Sequence, residues 1–166
     1  MNITNNLNLK KNLFLNQENI ILIILIILFF SFDRISKIQI ITNFSERVYF
    51  INDFINFDLV WNTGIGFGLL NSNSPLIYNL TTFLIGSVIL ILLNVAFISE
   101  NLEKLIYSII IGGACGNFFD RLSYKAVPDF IDFHYNNFHW FTFNIADVFI
   151  TLGIIVFIIR SFFVKY

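Results

Sequence analysis

Apolar positions in this chain fall into long unbroken runs instead of alternating with polar ones. The runs free of formal charge are Asn19–Phe32, Leu59–Ser99, Leu105–Phe119 and Val148–Ile159. Stretches that are apolar all round mark helices surrounded by lipid, not the one-faced helices of a soluble core. The second run opens on a Gly-rich turn, Asn62–Gly68, so its helix is expected to start near Ser74 or Pro75, where proline suits a first turn. The other three runs are too short to cross roughly 30 Å of hydrocarbon at about 1.5 Å per residue. Apolar residues continue past the charges at Ile35, Ile38, Ile40 and Ile41, and precede Asp147 at Phe141, Phe143 and Ile145. Extending the helices through them carries Asp33, Lys37 and Asp147 to membrane depth. An ionisable group there costs at least about 2.5–3.5 kcal/mol, which makes each one a candidate functional group.

These elements predict an all-α integral membrane protein forming a single membrane domain over residues 1–166. Four transmembrane helices are expected at about 19–41, 75–98, 103–121 and 142–164. A small sheet on the outer surface is expected between helices 1 and 2, at about 43–70, because Ile55–Asn62 nearly alternates apolar and polar residues and Val48–Ile51 precedes it. The segment at about 122–140 is expected as an outward, aromatic loop at the interface that holds both histidines.

Alternating the direction of four helices sorts the acids by side. Asp33, Glu46, Asp53, Asp58, Asp120, Asp129, Asp132 and Asp147 fall on one face, against Glu18, Glu100 and Glu103 on the other. Lys10, Lys11, Lys104, Arg160 and Lys165 share the less acidic face, while Arg47, Arg121 and Lys125 lie on the acidic one, with Arg34 and Lys37 embedded near it. The positive-inside rule then puts both termini in the cytoplasm and the acidic face outward. The basic pair ahead of the first helix, with no small-x-small cleavage site after it, reads as a retained signal-anchor.

Composition narrows the chemistry. Charged residues are 13% against 57% hydrophobic, and the net charge is −1, which excludes a basic-faced nucleic-acid binder and an ordinary soluble enzyme. One cysteine, Cys115, precludes an internal disulfide. With two histidines it is also too little for a closed Cys/His zinc site. Catalysis must come from carboxylates, hydroxyls or amides.

Several blocks could supply it. Asp33 and Lys37 are one helical turn apart, either a self-neutralising pair or a site-ordering one. Trp61–Gly68 is either a plain turn or a loop whose backbone approaches a ligand, with the Asn62 amide aimed at a carbonyl. Gly112 and Gly116 form a small-xxx-small face, with Cys115 as a packing residue in preference to a nucleophile. Asp120 and Arg121 are either a simple interfacial ion pair or, with Asn117 one turn before on the same face, a buried polar network. If Asp129 folds back onto the start of helix 4, it meets Asp147; two close carboxylates share a proton, and such a pair can activate water against an amide. His134 and His139, with Asp129 and Asp132, could instead bind a metal, although their i, i+5 spacing does not fit one helix face and interfacial histidines are the simpler reading.

Taken together, five blocks in order resemble the signal peptidase II family, the bacterial lipoprotein signal peptidases. They are Asp33-x-x-x-Lys37, Asn62-Thr63-Gly64-x-x-Phe67, Gly112-Gly113-Ala114-x-Gly116-Asn117-x-x-Asp120-Arg121, Val127-x-Asp129-Phe130 and Phe143-Asn144-x-Ala146-Asp147. The resemblance implies a membrane aspartyl endopeptidase with catalytic Asp129 and Asp147. Asp33, Lys37, Asn62, Gly64, Asn117, Asp120, Arg121, Asn144 and Ala146 would shape the pocket. It implies a diacylglyceryl-prolipoprotein substrate cut just before its lipidated cysteine, membrane lipid as partner, and no nucleic acid, metal or cofactor. It further implies four transmembrane helices with a small outward-facing β-cradle, multi-pass in the bacterial cytoplasmic (inner) membrane, and the chain is expected as a monomer. Pro128 stands where the family usually has an aliphatic residue, and His134–Trp140 matches no block. Without the resemblance, the rival readings are a proton- or cation-coupled transport component using Asp33, Asp129 and Asp147, and a non-catalytic assembly factor.

Overall fold

The computed structural model describes residues 16–64, 74–136 and 138–163. The basic pair Lys10 and Lys11, Lys165, and the part of the Gly-rich turn from Ile65 to Gly68 lie outside the described residues.

Four helices carry the fold: α1 (Gln17–Asn43), α2 (Pro75–Ile98), α3 (Asn101–Tyr124) and α4 (Ile145–Phe163). Their ends follow local chemistry. The Asn16 side chain accepts from Asn19 N at 2.7 Å and caps α1. Pro75 occupies the first turn of α2, where its missing N–H costs nothing. Lys125, with φ 59°, adopts the left-handed conformation that stops α3 and turns the chain.

α1, α2 and α4 are long and apolar enough to cross a membrane. Their outward residues, such as Phe83 (75% exposed) and Phe162 (79%), have no protein partner to bury them, which suits a lipid surround. α3 is the central helix and packs against the other three. Its charged residues sit at its two ends and its middle is buried. Leu22, Ile89, Tyr107 and Ile111 form the apolar core between α1, α2 and α3.

Glycine sets how close these helices come. A Cβ at Gly112 would stand 2.6 Å from Phe29 Cβ of α1, and one at Gly113 would stand 2.6 Å from the Ala146 carbonyl oxygen of α4. A Cβ at Gly116 would overlap the Asp33 carboxylate. The small-residue face of α3 thus serves two neighbours at once.

The sheet departs from expectation. It has four antiparallel strands in the order β1 (Tyr49–Asn52), β2 (Ile55–Asn62), β3 (Val127–Tyr135) and β4 (Phe138–Phe143). β3 and the first part of β4 come from the segment expected as a loop between helices 3 and 4, whereas Thr142 and Phe143 fall in the span expected for helix 4. Phe141 and Phe143 are strand residues instead of a helical extension, and the helix begins only at Ile145, after its cap Asn144. Nothing in the sequence pattern marks β3, because most of its residues are buried and it lacks the alternation of a strand with one wet face. Asn136, with φ 47°, makes the tight β3–β4 turn. Pro128 pairs with Trp61 of β2 but lies beyond the last β4 pairing, Ile131 with Phe143. Only one side of β3 is laddered there, so a missing N–H is tolerated.

At the far end of the bundle, Lys104 pairs with Glu18 at 3.6 Å, and Arg160 with Glu100 and Glu103 at 3.6 and 3.4 Å. These are the groups that helix alternation sorts to the less acidic face.

Candidate active site

At the sheet end of the bundle, Lys37 is the centre of a buried ion cluster. Its Nζ donates to Asp33 Oδ2 at 2.8 Å, Asn117 Oδ1 at 2.7 Å and Asp120 Oδ2 at 2.7 Å. All three ammonium protons are thereby used, and Lys37, Asp33 and Asp120 are fully buried. Arg34 pairs with the other Asp120 oxygen, and its guanidinium lies 4.7 Å over the Phe119 ring. Two acids and two bases balance, as burial in a low dielectric requires. The Asp33–Lys37 pair is therefore part of a larger cluster that joins α1 to α3.

Asp33 also reaches α4, accepting from Ala146 N at 3.0 Å. Arg121, also buried, donates to the Gly64 carbonyl and lies 5.6 Å from the Tyr78 ring. Tyr78 in turn donates to the Arg121 carbonyl at 3.0 Å. Asn62 Oδ1 accepts from Gly64 N at 2.8 Å, an Asx turn that holds the start of the Gly-rich segment.

Asp129 and Asp147 meet through Asn144. Asn144 caps α4 in a reciprocal arrangement: its Oδ1 accepts from Asp147 N at 3.1 Å, and its own N–H donates to Asp147 Oδ2 at 3.1 Å. The Asn144 amide nitrogen donates to Asp129 Oδ1 at 2.6 Å. Asn62 donates to Asp129 Oδ2 at 2.8 Å, and Asn117 to Asp147 Oδ1 at 2.9 Å. Strand β3, pinned on β2, carries Asp129 to the first turn of α4, where Asp147 sits.

Burial pushes the Asp129 carboxyl up to about 7, reinforced by the Asp147 charge. The Asn62 and Asn144 hydrogen bonds and the more distant Lys37 charge oppose the rise. At neutral pH the pair can hold one proton while retaining one ionised oxygen, the state a water-activating carboxylate pair requires. A groove lined by Phe141, Phe143, Val148, Thr151 and Leu152 has Asp147 in its wall.

All eleven residues that the resemblance assigns to the site belong to this one connected network. What the sequence did not reveal is Tyr78 beneath Arg121 and Arg34 beside Asp120; the latter was placed only as an embedded charge. Asp129 does not join the histidines. They cluster with Asp132 elsewhere on the sheet.

Residues 24–163 match the family model described as signal peptidase (SPase) II. The chain belongs to the signal peptidase II family. It is similar to a lipoprotein signal peptidase of Pelagibacter ubique, 42% identical over 96% of this chain and 93% of that protein. A second, from Francisella tularensis subsp. novicida, is 40% identical over 69% of this chain and 74% of that one. A solved bacterial membrane enzyme structure superposes with a TM-score of 0.70 at 30% identity, over 85% of this chain and 87% of its own. Membership of signal peptidase II makes this protein an aspartic-type peptidase of a bacterial membrane.

Proposed function

We propose that this peptidase removes the signal peptide from diacylglyceryl-modified prolipoproteins, cutting just before the lipidated cysteine with water activated between Asp129 and Asp147. The reading rests on Asn144, one residue whose side chain donates to Asp129 while its backbone donates to Asp147.

In this mechanism one carboxyl holds the shared proton and the other is ionised. The ionised oxygen takes a proton from water as the water oxygen attacks the scissile carbonyl carbon. The protonated carboxyl donates to the carbonyl oxygen, which becomes the hydroxyl of a tetrahedral intermediate. As that intermediate collapses, the C–N bond breaks and the proton held by the base passes to the departing amine. The amides of Asn62, Asn117 and Asn144 keep both carboxyls oriented throughout. Asp33, Lys37, Asp120, Arg121, Gly64 and Ala146 fix the helix positions on which those amides depend. The mechanism uses no metal or cofactor.

In the membrane, all four helices span, since α3 at 24 residues is about 36 Å long. The sheet and the aspartates lie at the outer face of the cytoplasmic membrane, both termini lie in the cytoplasm, and the protein works as a monomer. The groove beside Asp147 would receive apolar residues of the substrate or its acyl chain. A transport relay needs ionisable groups at several depths, whereas here they gather at the two ends of the bundle.

The test uses the purified chain in detergent with two synthetic precursor peptides, one diacylglyceryl-modified at cysteine and one unmodified. The expected result is cleavage of the lipidated peptide alone, immediately before the cysteine. A lipidated peptide left intact by well-folded protein overturns the reading.

A further inference from the structure

Away from the Asp129–Asp147 pair, the β3–β4 hairpin gathers Asp132, His134 and His139. Asp132 and His134 are two residues apart on β3 and so share a face, and His139 of β4 is the cross-strand partner of His134. The two imidazole rings stack with centroids 5.3 Å apart and planes 22° from parallel. One ligand atom from each of the three side chains lies within 4.8 Å of the others. His139 Nδ1 stands 2.7 Å from Asp132 Oδ2, and His134 Nδ1 stands 3.5 Å from the same oxygen.

Two observations set this cluster apart from an ordinary ion pair. His134 is 8% exposed, yet its Nδ1 has no hydrogen-bond partner among the described residues. Asn56, also buried, donates to Asp132 Oδ2 at 3.4 Å from β2, while its own Oδ1 has no described partner either. His134 Nδ1 faces that carboxylate oxygen at 3.5 Å without forming a hydrogen bond, and a buried polar atom left so is costly unless something such as a cation lies between the two. Asp132 is also three residues from Asp129, an odd spacing that turns it to the other face of the strand.

We propose that Asp132, His134 and His139 form a binding site for a single divalent transition-metal ion of the zinc class. Two imidazole nitrogens and one carboxylate oxygen are the donor types such ions prefer, and three protein ligands leave a fourth position for water. Each ring would present Nδ1 and carry its proton on Nε2. Asn56 would hold the carboxylate from behind, the outer-shell role that orients a ligating group. His139, the exposed member, is the ligand free to swing into place and provides the entry path. The bound ion would clasp β3 to β4 beside their connecting turn, at the opposite end of the hairpin from Asp129 and Asn144, and so stiffen the platform without touching the reacting atoms.

The experiment uses the full chain in detergent, stripped with chelator and titrated with zinc chloride, with cobalt(II) as the spectroscopic probe. We expect saturation at about one zinc per chain and visible cobalt bands of a low-coordinate N/O site. His139→Ala is at an exposed position and should fold normally; it should weaken zinc binding by more than about tenfold, as should Asp132→Asn. Zinc should slow limited proteolysis within the hairpin of wild type and leave His139→Ala unaffected. No saturable zinc binding to wild type, or binding unchanged by His139→Ala, overturns the proposal. The readouts are independent of peptide cleavage, so failure here leaves the peptidase reading intact, and the reverse.

Discussion

Two groups of carboxylates lie side by side at one end of this bundle, and their surroundings give them different work. Asp33 and Asp120 are bound to Lys37 and Arg34, so their charges are cancelled in place. Asp129 and Asp147 are held by amides: Asn62 and Asn144 for one, Asn117 and Asn144 for the other. A cation fixes a carboxylate as an anion and makes it structural. An amide orients a carboxylate without supplying charge, so a buried pair of them is left to keep a proton. The two groups are joined through Asn117, which accepts from Lys37 and donates to Asp147.

The contrast can be broken from either side. The largest effect on activity should come from Asp129→Asn or Asp147→Asn, each removing one member of the pair. Cleavage of the lipidated peptide should fall by at least about 10²–10⁴-fold, with thermal unfolding little changed. On the ion side the order reverses. Lys37→Met leaves Asp33 and Asp120 with Arg34 alone and should cost about 3–5 kcal/mol of stability, read as a lower unfolding temperature or loss of protein from the membrane. Gly116→Ala pushes a methyl against Asp33 and should cost about 1–3 kcal/mol, with activity lost as α1 is displaced.

Finer changes sharpen the comparison. Burial raises Asp129 to about 7, so in the proposed mechanism the shared proton would be present below that pH and lost above it. Turnover should therefore fall as pH rises through about 7, measured as the alkaline limb of the rate profile. Asn62→Ala removes a hydrogen bond that favours the ionised form, so that limb should move to higher pH. An unmoved limb would mean the proton resides elsewhere.

How much of this was legible beforehand differs by element. The Asp33–Lys37 spacing, the Gly-rich face of α3 and the convergence of acids at one end all followed from helical periodicity and the direction of the chain. Strand β3 did not, because burial on both faces erases the alternation that marks a strand. The i, i+5 spacing of the histidines does not suit one face of a helix. In a tight hairpin the same spacing makes them direct cross-strand neighbours.

The sequence alone determined that four apolar helices form and at which end of the bundle the described charges gather, since both follow from the apolar runs and the alternating direction of the chain; where the last helix begins it did not determine, because Phe141 and Phe143 belong to β4. It also determined the family, through five short blocks in order. The tertiary structure decided which amide meets which carboxylate. Asn144 and Asp129 are fifteen residues apart, and Ala146 and Asp33 are 113 apart. Contacts at such separations are set by how closely helices and strands pack, and here that closeness was decided by the absent side chains of Gly113 and Gly116.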